Sequence, residues 1–333
     1  MTSIKPLKQR LEDIDLLKGL AIILMSFVHV NSLLFVEAFG ILDTLTFVGS
    51  TVCFVVFLFA FSFLQGKKLL AGKIDSWGKI FKKISLLYIW YFVLGIFSVL
   101  LHDGGITLSQ IIEIGLLKSL PLYVEFLIAF VWLTIFIKIF GKTIIKLFNY
   151  PYILFISSLV IYALGMLLFN VEVHRDLLIW IKMHFVGNLD IHVFPVLQYM
   201  PVYILGILMA KYGNQKRYLG FAILCLSALI LLAVFNLSVW YRWPPSILYL
   251  IEGILFVFVS LYIFGYLKNA KALNFVKIFG ADSLLSLVVV TGLAFLSAWV
   301  LSPTGNPYIM LSINTGVLIL SYCVLRISKR LNI

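Results

Sequence analysis

The sequence predicts an all-α integral membrane protein, with about ten transmembrane helices in one bundle and both termini in the cytoplasm. Of its 333 residues, 62% are hydrophobic and only 12% are charged, and the mean hydropathy is +1.10. A soluble domain of this size has about 45–50% apolar and about 25% charged residues. Such an apolar composition excludes a soluble globular enzyme.

Apolar runs long enough to cross a bilayer of about 30 Å recur along the whole chain. They centre on residues 20–35, 44–64, 84–101, 120–140, 152–170, 193–210, 218–235, 246–267, 283–301 and 308–325. The first run has no small-residue cleavage site and follows an acidic patch at 12–15, which indicates a retained span. The predicted organisation is a cytoplasmic segment, 1–18, a membrane domain, 19–326, and a cytoplasmic tail, 327–333.

Positive charges give the direction of the spans. All but a few of the 26 Lys and Arg residues precede the first span, follow even-numbered spans or close the chain. The exceptions are Lys118, Arg175, Lys182 and Arg242. By the positive-inside rule, both termini lie in the cytoplasm and the number of spans is even. The net charge of +12 is spread over many loops, so its partner is the lipid bilayer of the cell membrane and not nucleic acid.

Cys53, Cys225 and Cys323 all lie in apolar runs, without the neighbouring ligands that a metal site requires. An odd number of cysteines cannot form a complete set of disulfides. We therefore interpret them as small core residues and predict no metal site.

Polar side chains inside the apolar runs are few, and an ionisable group within a span indicates function by default. Those predicted at a similar depth, in the outer halves of spans, are His29, Glu125, Gln198 and Glu252. Asp190 and His192 stand just outside the sixth run, in the same layer. A structural role remains open for both glutamates, as partners of a helix-end amide or a cation, and Gln198 is typical of a hydrogen bond between helices.

Lys18 and His29 lie on one stripe of the first predicted helix. Eleven steps of about 100° return almost to the starting face, and they cover about 16 Å along the axis. Lys18 is therefore predicted at the inner membrane surface, and His29 inside the membrane. An alternative for Lys18 is that it reaches the lipid headgroups and pairs with Asp15, three residues earlier.

The first span, with Asp15, Lys18-Gly19 and an apolar run ending in His29, resembles that of the acyltransferase-3 family of membrane acyltransferases. In that family ten residues separate an arginine from the histidine. The segments that resemble later parts of the family, in order, are 57–64, 79–88, 194–206 and 279–284. The related glucosaminide N-acetyltransferase-like proteins share a similar opening motif.

The chain departs from the family pattern at several positions. Lys18 stands where arginine is usual, which keeps a positive charge but loses bidentate geometry. Phe63 stands where glycine is usual. The helix after Ser283 has Thr291 in the part where relatives often place a second histidine, so we expect His29 to lack such a partner.

The resemblance implies transfer of an acyl group, typically acetyl, from acetyl-CoA or another acyl-CoA in the cytosol. The acceptor would be a hydroxyl or amine of a glycan or lipid-linked saccharide at the outer face. His29 would act as general base or as transient acyl carrier. From their predicted depth in the membrane alone, Glu125 or Glu252 would orient its imidazole.

Substrate contacts are expected at both membrane surfaces, from the lysines at the inner surface and from polar residues of the outer layer. The expected contacts to the donor nucleotide are Lys18, Lys79, Lys82 and Lys83. The expected contacts to the acceptor are Gln198, Asp190 and His192. No metal takes part in this scheme.

A transporter or flippase is the alternative hypothesis. In that case the intramembrane histidine and glutamates would line a proton or substrate path without any covalent step. The sequence shows no inverted repeat and no matching pair of broken spans, which favours acyl transfer.

Overall fold

The computed structural model describes residues 11–35, 40–187, 194–237 and 240–331, and within these ranges the chain folds into α-helices and one short 3₁₀ helix. The helices are α1 (Glu12–Leu34), α2 (Gly40–Leu70), α3 (Trp77–Asp103), α4 (Leu108–Gly115), α5 (Phe126–Leu147), α6 (Pro151–Phe169), α7 (Asp176–Phe185), α8 (Met200–Tyr212), α9 (Gln215–Val234), α10 (Ile247–Leu267), α11 (Asn274–Ala281), α12 (Ser283–Val300) and α13 (Pro307–Leu331).

In the described part of the chain, nine helices are long and apolar enough to span a membrane: α1, α2, α3, α5, α6, α9, α10, α12 and α13. This confirms the predicted all-α membrane fold. The sixth predicted run differs, because α8 has 13 residues and is only about 20 Å long. Residues 194–199, which precede it, are not helical, and residues 196–199 form a turn. Nine spans and this shorter helix correspond to the ten apolar runs.

The centre of the bundle is formed by α1, α2 and α8. Helix α1 packs against α2, α11 and α12, and α2 also packs against α8 and α10. Every residue of α8 from Met200 to Ala210 is buried. By contrast, α6 and α9 leave most of their apolar side chains exposed. An exposed apolar face is expected of helices that contact lipid.

Two glycines let α1 and α11 approach backbone to backbone. A Cβ atom at Gly19 would overlap the carbonyl oxygen of Val276, and one at Gly280 would overlap that of Asp15. Lys277 adds an ion pair with Glu12 at the same end of the two helices. Close packing of this kind relies on small residues in membrane proteins. It fixes the start of α1, and therefore the position of Lys18.

We expect reporters to show the predicted orientation. A reporter fused after Arg330, or inserted after Lys73, will be cytoplasmic, because nearly all basic residues lie at these helix ends. A reporter inserted near Arg175 will be external. Alkaline phosphatase and green fluorescent protein fusions measure this directly. An external signal after Arg330 would contradict the even number of crossings.

Candidate functional site

His29 lies within the bundle and meets two other elements. Its side chain is only 4% exposed. Its Nδ1 atom lies 3.2 Å from the hydroxyl of Thr291 on α12. On another side, its ring meets the edge of Tyr123, with 5.1 Å between ring centroids. Because Nδ1 is engaged by Thr291, Nε2 is the ring nitrogen left for a substrate.

Tyr123 is placed by a loop that is tied to α3. The hydroxyl of Tyr91 donates to the carbonyl of Ser119, at 2.8 Å, and Ser98 donates to that of Leu122, at 3.0 Å. Tyr123 itself has a φ of 72°, a left-handed conformation that costs energy for a residue with a side chain. Such strain concentrates at functional sites, which agrees with the contact to His29.

Glu125 follows directly, at the start of α5. Its carboxylate is buried, and Oε2 has no hydrogen-bond partner among the described residues. The next residue, Phe126, packs edge-to-face on Phe194. Glu252 has a different environment, because it accepts a hydrogen bond of 2.8 Å from Trp240 and is only partly buried. Of the two predicted glutamates, the structure thus places Glu125 beside the Tyr123 loop.

Arg242 lies in the connection between α9 and α10. Its guanidinium carbon lies 4.2 Å from the ring centroid of Trp243 and 5.7 Å from that of Phe194. Tyr199 and Tyr249, with centroids 6.4 Å apart, complete this group. The charge of Arg242 acts electrostatically on both His29 and Glu125. We call Glu125, Tyr199, Arg242 and Tyr249 the outer polar cluster.

Lys18 lies at the opposite end of α1, buried, in an ion pair of 3.0 Å with Asp15. It lines a cavity of about 250 Å³ together with Lys83, and nearly all other lining residues are apolar. The ten other lining residues, of which Ser283 alone is polar, are Phe57, Phe61, Leu64, Leu87, Phe126, Leu127, Phe130, Ser283, Leu284 and Leu287. An apolar cavity with two cations suits an amphipathic ligand whose polar end is anionic.

The same cavity extends towards the histidine. Phe126, one of its lining residues, is adjacent to Glu125 in the chain. Leu287, another, lies four residues before Thr291 on α12 and so on the same helix face. The cavity therefore reaches from the two lysines to within one helical turn of the residue that contacts His29.

A smaller cavity of about 20 Å³ adjoins Lys83 and is lined also by Lys79 and Asp75. Lys68 binds the carboxylate of Asp75 at 2.7 Å, and this hydrogen bond is the main cause that lowers the pKa of Asp75. Lys82, by contrast, is exposed and lines neither cavity. Of the four predicted donor contacts, the structure thus places Lys18, Lys79 and Lys83 at cavities.

Of the predicted acceptor contacts, Gln198 makes hydrogen bonds within the protein, and the other two fall outside the described residues. Gln198 is fully buried and donates to the carbonyls of Gly165, at 3.0 Å, and Val186, at 2.7 Å. These hydrogen bonds join α6, the end of α7 and the turn before α8, as is typical of a glutamine that links helices. Asp190 and His192 fall outside the described residues. The described part of the chain also contains no group of His, Cys, Asp and Glu residues able to hold a metal.

Comparison with known proteins decides the family. The model of the acyltransferase-3 family, described as an acyltransferase domain, matches residues 11–326. The chain belongs to this family. It is therefore a multi-pass membrane acyltransferase, which supports acyl transfer over the transporter alternative. No curated protein and no solved structure matches the chain.

Several residues near His29 were not predicted as site residues from the sequence. Thr291 occupies the position beside His29 and supplies a hydroxyl. Tyr123 had no distinguishing pattern. The sequence identifies Arg242 only as one of the few outer cations, although its position among Trp240, Trp243 and two prolines indicates a structured loop.

Proposed function

We propose that this acyltransferase moves an acyl group, typically acetyl, from cytosolic acyl-CoA to a hydroxyl or amine of a glycan or lipid-linked saccharide. The acceptor lies at the outer face of the cell membrane. The observation that supports this most is the cavity lined by Lys18 and Lys83, which extends along α12 to Leu287, one helical turn before the residue that contacts His29. A donor held at the two lysines would direct its acyl group along this cavity towards the histidine.

Donor binding follows from the lining of the cavity. The phosphates of CoA are anionic, and lysines attract phosphate as point charges. Lys18 and Lys83 would hold them at the inner end, with Lys79 at the adjoining small cavity. The pantetheine arm and the acyl thioester would then extend along the apolar walls towards Thr291.

The chemical step needs one base. As the acceptor oxygen bonds to the thioester carbon, Nε2 of His29 takes the hydroxyl proton. The carbon–sulfur bond then breaks, and the sulfur of CoA takes that proton from His29. Thr291 orients the ring through Nδ1. Glu125, two residues after Tyr123, would help to hold the acceptor.

The proposal is tested by supplying membranes with radiolabelled acetyl-CoA. Membranes that contain the protein will incorporate label into a glycan or lipid-linked saccharide fraction, and membranes from cells without it will not. Mild alkali releases label from an ester but not from an amide, so the same sample identifies the acceptor atom. Equal incorporation with and without the protein would contradict the proposal.

We expect Thr291→Val to lower kcat by up to about tenfold, because it removes one neutral hydrogen bond to His29 while keeping the side-chain volume. Thr291→Ser restores the hydroxyl and will recover most of the activity. The KM for acyl-CoA will stay unchanged in both variants, as expected of a positioning residue. A loss that Ser does not recover would indicate a packing role instead.

A further inference from the structure

Four buried polar atoms of the outer polar cluster lack an ordinary hydrogen bond within the described part of the chain. They are Nε of Arg242, Oε2 of Glu125 and the hydroxyls of Tyr199 and Tyr249. The two tyrosine hydroxyls lie near each other and near Arg242. None of the four atoms, however, makes a hydrogen bond of ordinary geometry with a described residue. Buried polar groups are normally paired, so a ligand with several donors and acceptors fits this place.

Arg242 differs from the other cations predicted outside. Lys118 and Arg175 are exposed, and Lys182 donates to the carbonyl of Val171 at 2.6 Å. Arg242 instead lies against two aromatic rings and makes no ion pair with a described residue. A partly buried cation without a paired anion is costly. An anionic ligand would offset this cost, and the guanidinium fork suits phosphate and carboxylate.

We propose that the acceptor is an anionic saccharide, whose phosphate or carboxylate group binds Arg242 while its hydroxyls bind Tyr199, Tyr249 and Glu125. This inference rests on the proposed acyl transfer and adds the charge of its acceptor. Arg242 reaches His29 only electrostatically, whereas the Tyr123 loop that leads to Glu125 contacts the histidine ring. In the proposed complex, the anion binds Arg242 and a hydroxyl of the same saccharide meets His29.

The charge of the acceptor is tested with the wild-type protein in membranes supplied with labelled acetyl-CoA. After extraction at neutral pH, the labelled saccharide will bind an anion exchanger. Label in the uncharged fraction would overturn the inference and leave the proposed function intact. Absence of any protein-dependent label would instead overturn the proposed function itself.

The two sources of negative charge are separated by treating the acceptor extract before the assay. Hydrogen fluoride cleaves phosphate esters, and carbodiimide with borohydride reduces carboxylates to alcohols. We expect one of these treatments to remove most of the acceptor activity, and this result identifies the anion. Full activity after both treatments would contradict an anionic acceptor.

Variants of Arg242 test whether this residue binds the acceptor. Arg242→Gln will raise the KM for the acceptor by about tenfold to a hundredfold, the range of a charge-assisted hydrogen bond, with an unchanged KM for acyl-CoA. Arg242→Lys will lie between wild type and Gln because it keeps the charge without the fork. Arg175→Gln is the matched control, since Arg175 is exposed, and it will behave as wild type. An unchanged acceptor KM in a folded Arg242→Gln protein would overturn the assignment.

Discussion

His29→Ala will abolish acyl transfer while the protein remains folded and inserted in the membrane. The variant replaces an imidazole inside a span with a small apolar side chain, which eases insertion. It also removes the group that we propose takes the acceptor proton. Loss of a general base costs about 10²–10⁴-fold in rate, and loss of a covalent carrier costs more. The measurement is label transfer from acetyl-CoA, normalised to the amount of protein in the membrane.

His29→Gln separates catalysis from structure. Glutamine keeps a hydrogen-bonding side chain near Thr291 but cannot transfer a proton, so it will be nearly as inactive as alanine. The matched control is His184→Gln, because His184 is equally buried but lies on α7 among Trp132 and Trp180. We expect that control to stay active. Near-normal transfer by His29→Gln would make the histidine structural.

The fold is predictable from the sequence because hydropathy and span length are local properties. The limit of this reasoning is visible at α8. The predicted run, 193–210, is apolar throughout, yet the helix begins only at Met200. Pro201 lies in its first turn, where a missing N–H is tolerated. A hydropathy value is the same for an apolar residue in a turn and in a helix, so it cannot distinguish the non-helical segment 194–199 from α8.

The site was less predictable, because its contacts join distant parts of the chain. Lys18 and His29 belong to one helix, and helical geometry alone puts them on one stripe. By contrast, the contact between His29 and Thr291 depends on the rotation of α12 against α1, which no local pattern determines. The position of Arg242 is also not predictable from a local pattern, because it depends on a contact with the distant Phe194. Its charge alone indicated only an outer cation.

The second large effect is expected for variants of the two lysines at the inner end of the cavity. Lys83→Gln will raise the KM for acyl-CoA, because its ammonium lines both cavities and lies 4.1 Å from the ring of Phe61. One charge-assisted contact to phosphate contributes about 1.5–3 kcal/mol, which corresponds to roughly tenfold to a hundredfold in affinity. Lys18→Gln will act in the same direction, and Lys18→Arg will keep the donor affinity because it keeps the charge. The double variant Lys18→Gln/Lys83→Gln will lose more than either single variant.

Lys82→Gln is the matched control for Lys83→Gln. Both residues lie on the first turns of α3 and carry the same charge, but Lys82 is exposed and lines no cavity. If the lysines only raised the local concentration of an anionic donor, the two variants would lose affinity equally, and both losses would disappear at high salt. If Lys83 binds the donor inside the cavity, only Lys83→Gln will raise the KM, and the difference will persist in salt. Initial rates against acyl-CoA concentration, at low and high ionic strength, decide between these outcomes. Equal losses in both variants would remove the cavity from the proposed donor site.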